Sequence, residues 1–170
     1  MVLSLYIHIG DGDFKVNQSH ACIRYIARKK PELNLLGKTD QDMAIVDMLL
    51  CEYQDKKMKM TVLQYTDGLI NKGYEYIHDQ TENGDNMNSH LLLFSKYLGS
   101  NDYFVSNAIT IIDFALYEYF QQCYDYSTKC EDPINYNEKY TNLSNFCIRI
   151  ENLPNMKEYL NSEEFKKVSG

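Results

Sequence analysis

Ile109-Thr110-Ile111-Ile112-Asp113-Phe114-Ala115-Leu116 is the stretch on which the fold turns. Thr110 with Asp113 three residues on is a capping-box arrangement. The hydroxyl is placed to accept from the Asp113 N–H, and the carboxylate to reach back to the Thr110 N–H. Ile109 before the cap and Phe114 four residues past it have the spacing of a hydrophobic staple. The helix beyond the cap is almost entirely apolar or aromatic, so the spacing predicts a central core helix. Upstream, Leu91, Leu92, Phe94 and Leu98 recur at helical spacing up to Gly99, a natural helix terminator, and residues 100–108 form a loop. Downstream, residues 125–140 read as a polar connection. Helices over about Asn142–Glu151 and Pro154–Leu160 complete the chain, with Pro154 suited to a first helical position.

Further toward the N-terminus, Thr81–Asn88 reads as a polar loop, and Gly68 and Gly73 as interruptions. Thr39-x-x-Asp42 opens a long amphipathic segment. Met43, Val46, Leu50 and Tyr53 share its apolar stripe, with acidic and lysine residues opposite. Before it, Asn17 is a plausible N-cap, and Ile23, Ile26 and Ala27 repeat at helical spacing until Pro31. The convincing β region is Leu3–Val16. It holds a strand over Leu5–Ile9, a turn at Gly10-Asp11-Gly12-Asp13 and a return strand at Phe14-Lys15-Val16. A hairpin alone is marginal and must pack on something. The fold class is therefore mainly α, with a short β-hairpin in front.

A chain of 170 residues reads as one compact unit that needs no staples to hold its core. Its 17 basic and 24 acidic residues give a net charge of -7, which argues against nucleic acid and anionic membrane partners. No apolar run approaches the roughly 18 residues of a membrane span. The opening lacks the basic region of a signal or transit peptide, so the expectation is a soluble intracellular, cytoplasmic protein. Cys22, Cys51, Cys123, Cys130 and Cys147 are scattered without a CxxC, and His8, His20, His78 and His90 do not pair with them at metal-ligand spacing. No metal site is expected. Cys22, Cys51 and Cys147 read as small core residues, and nothing nearby marks a reactive thiol. Phosphate-binding loops, metalloprotease helices and nucleophile elbows are absent.

Lys15-Val16-Asn17-Gln18-Ser19-His20-Ala21-Cys22-Ile23-Arg24-Tyr25-Ile26-Ala27-Arg28-Lys29 resembles the last strand and third helix of the N-terminal domain in mu-class glutathione S-transferases. Leu98-Gly99, Tyr103-Phe104, Ile109-Thr110 and Asp113-Phe114 are similar to a second segment of that family. Asn142-Leu143, Phe146, Arg149, Glu151, Leu153, Tyr159-Leu160, Ser162 and Phe165 match its C-terminal run in order. The resemblance implies residues 1–35 as a remnant of a thioredoxin-like domain and 36–170 as the all-α C-terminal domain. It implies Gln18 and Ser19 as contacts for the γ-glutamyl part of glutathione, at a helix N-terminus suited to a carboxylate. Asp55 takes the place of an aspartate that reaches the γ-glutamyl amine across a dimer, and Tyr65 that of a tyrosine assisting electrophile chemistry. Read without the resemblance, Ser19 is a helix cap, Asp55 a solvated charge and Tyr65 a core aromatic.

The chain also departs from the family pattern. Members begin with a β-α-β-α portion that supplies the tyrosine favouring the glutathione thiolate; here the hairpin starts almost at Met1. Tyr6 lies in the wrong strand to replace that tyrosine, and Ile7 stands where the family has a cis-proline. No catalytic residue is therefore expected. The leading expectation is a degenerate glutathione-transferase-like protein, a non-catalytic structural or interaction subunit of a larger assembly with protein partners. It requires no cofactor, although glutathione binding is compatible with it. The alternatives are an active mu-like transferase conjugating glutathione to hydrophobic electrophiles, with the missing half supplied by another chain or belonging to a longer version of this sequence, and a module that binds without chemistry. The expected partner surface is the strand edge at residues 5–9 and one face of the Asp42–Tyr65 helix.

Overall fold

A computed structural model describes residues 9–65, 72–163 and 165. Its chain opens with two short antiparallel strands, β1 (Ile9–Asp11) and β2 (Phe14–Val16), paired Ile9 to Val16 and Asp11 to Phe14. The turn is thus the two residues Gly12-Asp13, not four. Gly12 takes φ +64°, a conformation glycine adopts without a Cβ penalty. The expected strand over Leu5–Ile9 lies outside the described residues except for Ile9.

Eight helices come next among the described residues: α1 (Ser19–Arg28), α2 (Asp40–Tyr65), α3 (Lys72–His78), α4 (Met87–Leu98), α5 (Ile111–Lys129), α6 (Tyr136–Lys139), α7 (Thr141–Glu151) and α8 (Pro154–Leu160). The local signals for helix ends are largely realised. Pro31 starts a 3-10 turn after α1, Gly99 at φ +56° closes α4, and Pro154 opens α8. At the front of α1 the N-cap position belongs to Gln18, not Asn17.

Both long helices start on capping boxes. Thr39 and Asp42 exchange bonds of 3.1 Å in each direction ahead of α2. At α5 the Asp113 carboxylate accepts the Thr110 N–H at 2.7 Å and its hydroxyl at 2.9 Å. The two carboxylates also clasp one loop. Asp113 accepts the Phe104 N–H at 3.0 Å, and Asp42 accepts the Ser106 hydroxyl. The expected 100–108 loop is therefore held at both boxes.

Helix α5 is the centre of the core, packed between α2 and α7 with α1 and α6 alongside. Its Ile112, Leu116, Tyr119, Phe120 and Cys123 are fully buried. Phe120 lies 5.7 Å from Phe94, 6.1 Å from Phe146 and 6.3 Å from Phe104, ring centre to ring centre, mostly edge to face. The hydroxyl of Tyr124 is buried without a hydrogen-bond partner among the described residues. Tyr124→Phe is accordingly expected to stabilise the fold by about 1 kcal/mol, since it removes a desolvated, unsatisfied group. A higher urea midpoint at unchanged slope would register it; a lower midpoint would contradict it.

Four further expectations are corrected. Residues 125–140 are not a loose polar connection: α5 continues to Lys129, and Tyr136 and Tyr140 are buried. Their rings fill the core while their hydroxyls reach Ile77 O at 2.7 Å and Asn88 Oδ1 at 2.6 Å, so tyrosine serves both environments. Helix α4 begins inside the expected Thr81–Asn88 loop, because Asn86 accepts the Ser89 N–H at 2.7 Å and caps it there. Gly73 lies within α3, whereas Gly68 falls outside the described residues.

The fourth correction concerns α2. Val46, Leu49, Leu50, Tyr53, Met60 and Leu63 face the core, but Met43 is exposed. The opposite face is mixed rather than wholly charged: exposed Asp40, Asp47 and Asp55 lie on it as expected, but among apolar residues. Ala44, Met48, Cys51, Asp55, Met58 and Val62 are all exposed, and at 100° per residue they fall within about 80° of one another, diametrically away from the core. Cys51 is therefore on the surface, while Cys22 and Cys147 are buried as expected. Besides its core face, helix α2 thus carries an exposed row of apolar residues broken by acidic ones.

Candidate glutathione-contacting turn and the core polar network

The strand-to-helix turn at Gln18-Ser19 is built on strain. Gln18 has φ 70° and ψ 118°, a conformation that L residues rarely adopt and that costs about 1–3 kcal/mol. The kink swings the chain from β2 into α1, whose first backbone bond runs from the Cys22 N–H to Gln18 O at 2.9 Å. The three N–H groups before Cys22 have no acceptor inside the helix. No side chain caps them at Gln18, and the first turn carries no acidic residue. Gln18 and Ser19 are both exposed. The result is an open helix N-terminus, electropositive through its aligned peptide dipoles.

Helix α1 is fixed against α2 by two contacts. Arg24 pairs with Asp47 at 2.6 Å, and His20 lies 5.5 Å from the Tyr53 ring. Burial, then the Arg24 charge, lowers the pKa of His20 from its ordinary value, against a hydrogen bond to the Gln54 side chain that raises it. These contacts bring the Gln18-Ser19 turn to the middle of α2. Asp55 does not join it: two residues beyond Tyr53, it points about 160° away, into the outward apolar face. Gln18 and Ser19 are thus adjacent, and Asp55 stands apart from them within one chain. The side chain of Tyr65, and all of Tyr6 and Ile7, lie outside the described residues.

The described grooves lie elsewhere. One of about 380 Å³ runs past Leu33, Lys38, Asp42, Ser106 and Thr110, and another of about 340 Å³ is lined by Phe114, Leu153 and Met156. Among the described residues no cluster of three or more histidine, cysteine or acidic side chains is placed to hold a metal ion, and no helix is long and apolar enough to cross a membrane. Burial pushes the Cys123 and Cys147 thiols up to about 12, which keeps them protonated and inert.

Sequence reasoning missed a polar cluster deep in the core. His90, Tyr76 and Tyr119 meet there, with Asp85 at the surface end. Its only sequence trace is Asp85 five residues before His90; Tyr76 and Tyr119 come from other helices.

Comparison with known proteins agrees with this architecture. Residues 71–163 match the family described as "Glutathione S-transferase, C-terminal domain". Glutathione S-transferase Mu 2 of Mus musculus is 30% identical over 155 residues, covering 91% of this chain and 64% of the relative. Glutathione S-transferase Mu 5 of Homo sapiens is 31% identical over the same shares. The chain thus spans less than two thirds of the length of these relatives. A solved structure of the pi-class glutathione S-transferase of Onchocerca volvulus superposes with a TM-score of 0.74 at 25% identity, over 92% of this chain and 70% of that one. On the family match over residues 71–163 and these relatives, the chain belongs to the glutathione S-transferase family, of which it carries the C-terminal helical domain.

Proposed function

We propose that the chain acts as a non-catalytic structural or interaction subunit of a protein assembly, docked through the outward face of α2. One observation carries this reading: the exposed apolar row of that helix. An exposed helix with apolar residues on both sides is a surface that wants a partner. Met48, Cys51 and Met58 supply its contacts. Asp47 and Glu52 lie toward the N-terminal half of the helix, and Lys56 and Lys59 lie beyond them. That polarity fits an antiparallel partner helix whose charges run the other way. Residues 5–9, the other expected contact edge, lie outside the described residues.

A second reading has its own observation, the strained and uncapped Gln18-Ser19 turn. Strain of this kind is kept where a ligand uses it. On this reading Gln18 and Ser19 hold the γ-glutamyl carboxylate of glutathione, and Asp55 and Tyr65 serve a glutathione and an electrophile seated on an assembled dimer.

Calorimetric titration with glutathione, paired with a conjugation assay on an aryl halide, separates the two. The subunit reading expects no turnover above the uncatalysed rate, with or without binding. Turnover that Ser19→Ala abolishes would overturn it in favour of a working transferase. The docking surface has a separate check. The purified chain is expected to sediment as an assembly, and Met48→Glu with Met58→Glu to return it to a monomer with unchanged helical content. A monomer before substitution would remove this surface.

A further inference from the structure

Side chains from α2, α3, α4, α5 and the loop before α4 form one hydrogen-bonded chain through the core. Lys59 pairs with Asp85 Oδ2 at 2.9 Å, and Asp85 Oδ1 meets His90 Nε2 at 2.9 Å. His90 Nδ1 lies 3.0 Å from the Tyr76 hydroxyl and 3.2 Å from that of Tyr119; the two hydroxyls are 3.5 Å apart. His90 is 2% exposed and Tyr119 0%. Cys123, also fully buried, stands beside Tyr119 as the inner end.

Hydrogen-bond chemistry assigns the protons. A carboxylate only accepts, so Nε2 carries the hydrogen and donates to Asp85. Nδ1 then holds a lone pair, and a tyrosine hydroxyl donates to it. A proton on Nδ1 would reverse these bonds, toward Tyr76, Tyr119 and the Cys123 sulfur, and would set a full charge in a buried ring against which the Tyr76 ring of α3 packs edge to face, a charge that water reaches once α3 moves away. Among the described residues the charges near the ring belong to α2 or the loop: Asp85 and Glu52 favour the imidazolium, Lys56 opposes it, and burial outweighs all three, drawing the His90 pKa down to about 4. Burial likewise holds the Tyr76 and Tyr119 hydroxyls far above the ordinary tyrosine range, so they remain donors.

We propose that His90 is the catch of an acid-operated latch: its neutral Nε2–H form fastens α3 to α4 and α5 through the Tyr76 hydroxyl, and protonation frees α3 while the α5–α7 core still stands. Helix α3 is the element set to move. It has seven residues, and its buried hydrophobic side chains are Tyr76 and Ile77. Its other hydrogen-bonded ties among the described residues are the Tyr136 hydroxyl on Ile77 O, the surface bonds of Tyr74 and His78 to Asp132, and the Cys130 sulfur 3.9 Å from His78 Nε2. An opened His90 regains the ordinary histidine pKa near 6.5, so the neutral, closed form is fully favoured above that pH and loses its advantage on descent toward 4. Asp42, Asp79 and Asp85, whose carboxyls are held below their usual range by hydrogen bonds, lose charge only below that window.

Amide hydrogen exchange of the intact chain, corrected for intrinsic rates, tests this at pH 7.5 and 5.0. Exchange in α3 is expected to accelerate roughly 30-fold at pH 5.0, the linkage of a single proton. At that pH it should also outpace α5 by at least about tenfold, the mark of opening below global unfolding. His90→Met should remove the acceleration and His78→Gln should keep it. One shared protection for α3 and α5, or acceleration that survives His90→Met, would overturn the latch. Should His90→Met not fold, histidine NMR of the unaltered chain decides: a His90 midpoint below about pH 5 supports the latch, and one at 6.5 or above refutes it.

Discussion

Phe120→Ala is expected to lower the free energy of unfolding by about 3–5 kcal/mol, the range for emptying an aromatic site in a packed core. Phe120 is fully buried at the point where α4, α5, α7 and the 100–108 loop converge, with rings of Phe94, Phe104, Tyr119 and Phe146 around it. Four aromatic neighbours from four parts of the chain leave no single side chain able to close the cavity. With a urea slope near 2 kcal/mol per molar, the midpoint should fall by about 2 M. That is a large share of the roughly 5–15 kcal/mol holding a typical domain together. Phe120→Leu, which keeps most of the volume, should lose less than half as much. Equal losses for the two would mean that ring geometry, rather than filled volume, holds this layer.

The second large effect is expected at Asp113. Asp113→Ala removes the acceptor for two backbone donors, the N–H groups of Thr110 and Phe104, and for the Thr110 hydroxyl. Each orphaned buried donor costs about 1–3 kcal/mol, so a loss of about 3 kcal/mol is expected, beyond that of an ordinary cap. Asp113 is itself fully buried, and desolvation raises its carboxyl pKa against the pull of its hydrogen bonds. Asp42→Ala, at the corresponding position of α2, should cost only about 1 kcal/mol because its partner Thr39 is exposed and water can take over the freed N–H. A comparison of urea midpoints checks the order. A milder Asp113→Ala would show that the Phe104 contact contributes little and that the cap alone acts.

The helical domain was legible where its signals are local. Thr39 and Asp42, Thr110 and Asp113, Gly99 and Pro154 each act within a turn of their own position, so spacing alone exposes them. The apolar run after Thr110 marked the central helix for a related reason: a segment with almost no polar face has nowhere to lie but the core. The segment 125–140 was misread because its tyrosines and asparagines count as polar in a pattern. Only the partners Ile77 and Asn88 show that those hydroxyls are satisfied inside.

The candidate site was legible in part. Gln18 and Ser19 followed from the resemblance, but the strained φ of Gln18 is a property of the backbone that no composition carries. Helix α2 was read from its first stripe, and the second remained hidden. At 3.6 residues per turn, Val46-Leu50-Tyr53 and Met48-Cys51-Met58 are equally good apolar rows. The charged residues between them blur both.

What the sequence by itself determined is therefore the family, the order of the helices and most of their ends, because capping, proline and glycine act over a few residues. What only the tertiary structure decided is which of two apolar faces α2 turns inward, where Asp55 points, and that Asp85, His90, Tyr76 and Tyr119 form one chain. Those outcomes depend on contacts between residues far apart in sequence, Tyr76 with Tyr119 at 43 positions and Tyr53 with Tyr119 farther still. Burial, rather than residue type, then sets whether a histidine is a solvated base or a neutral peg in the core.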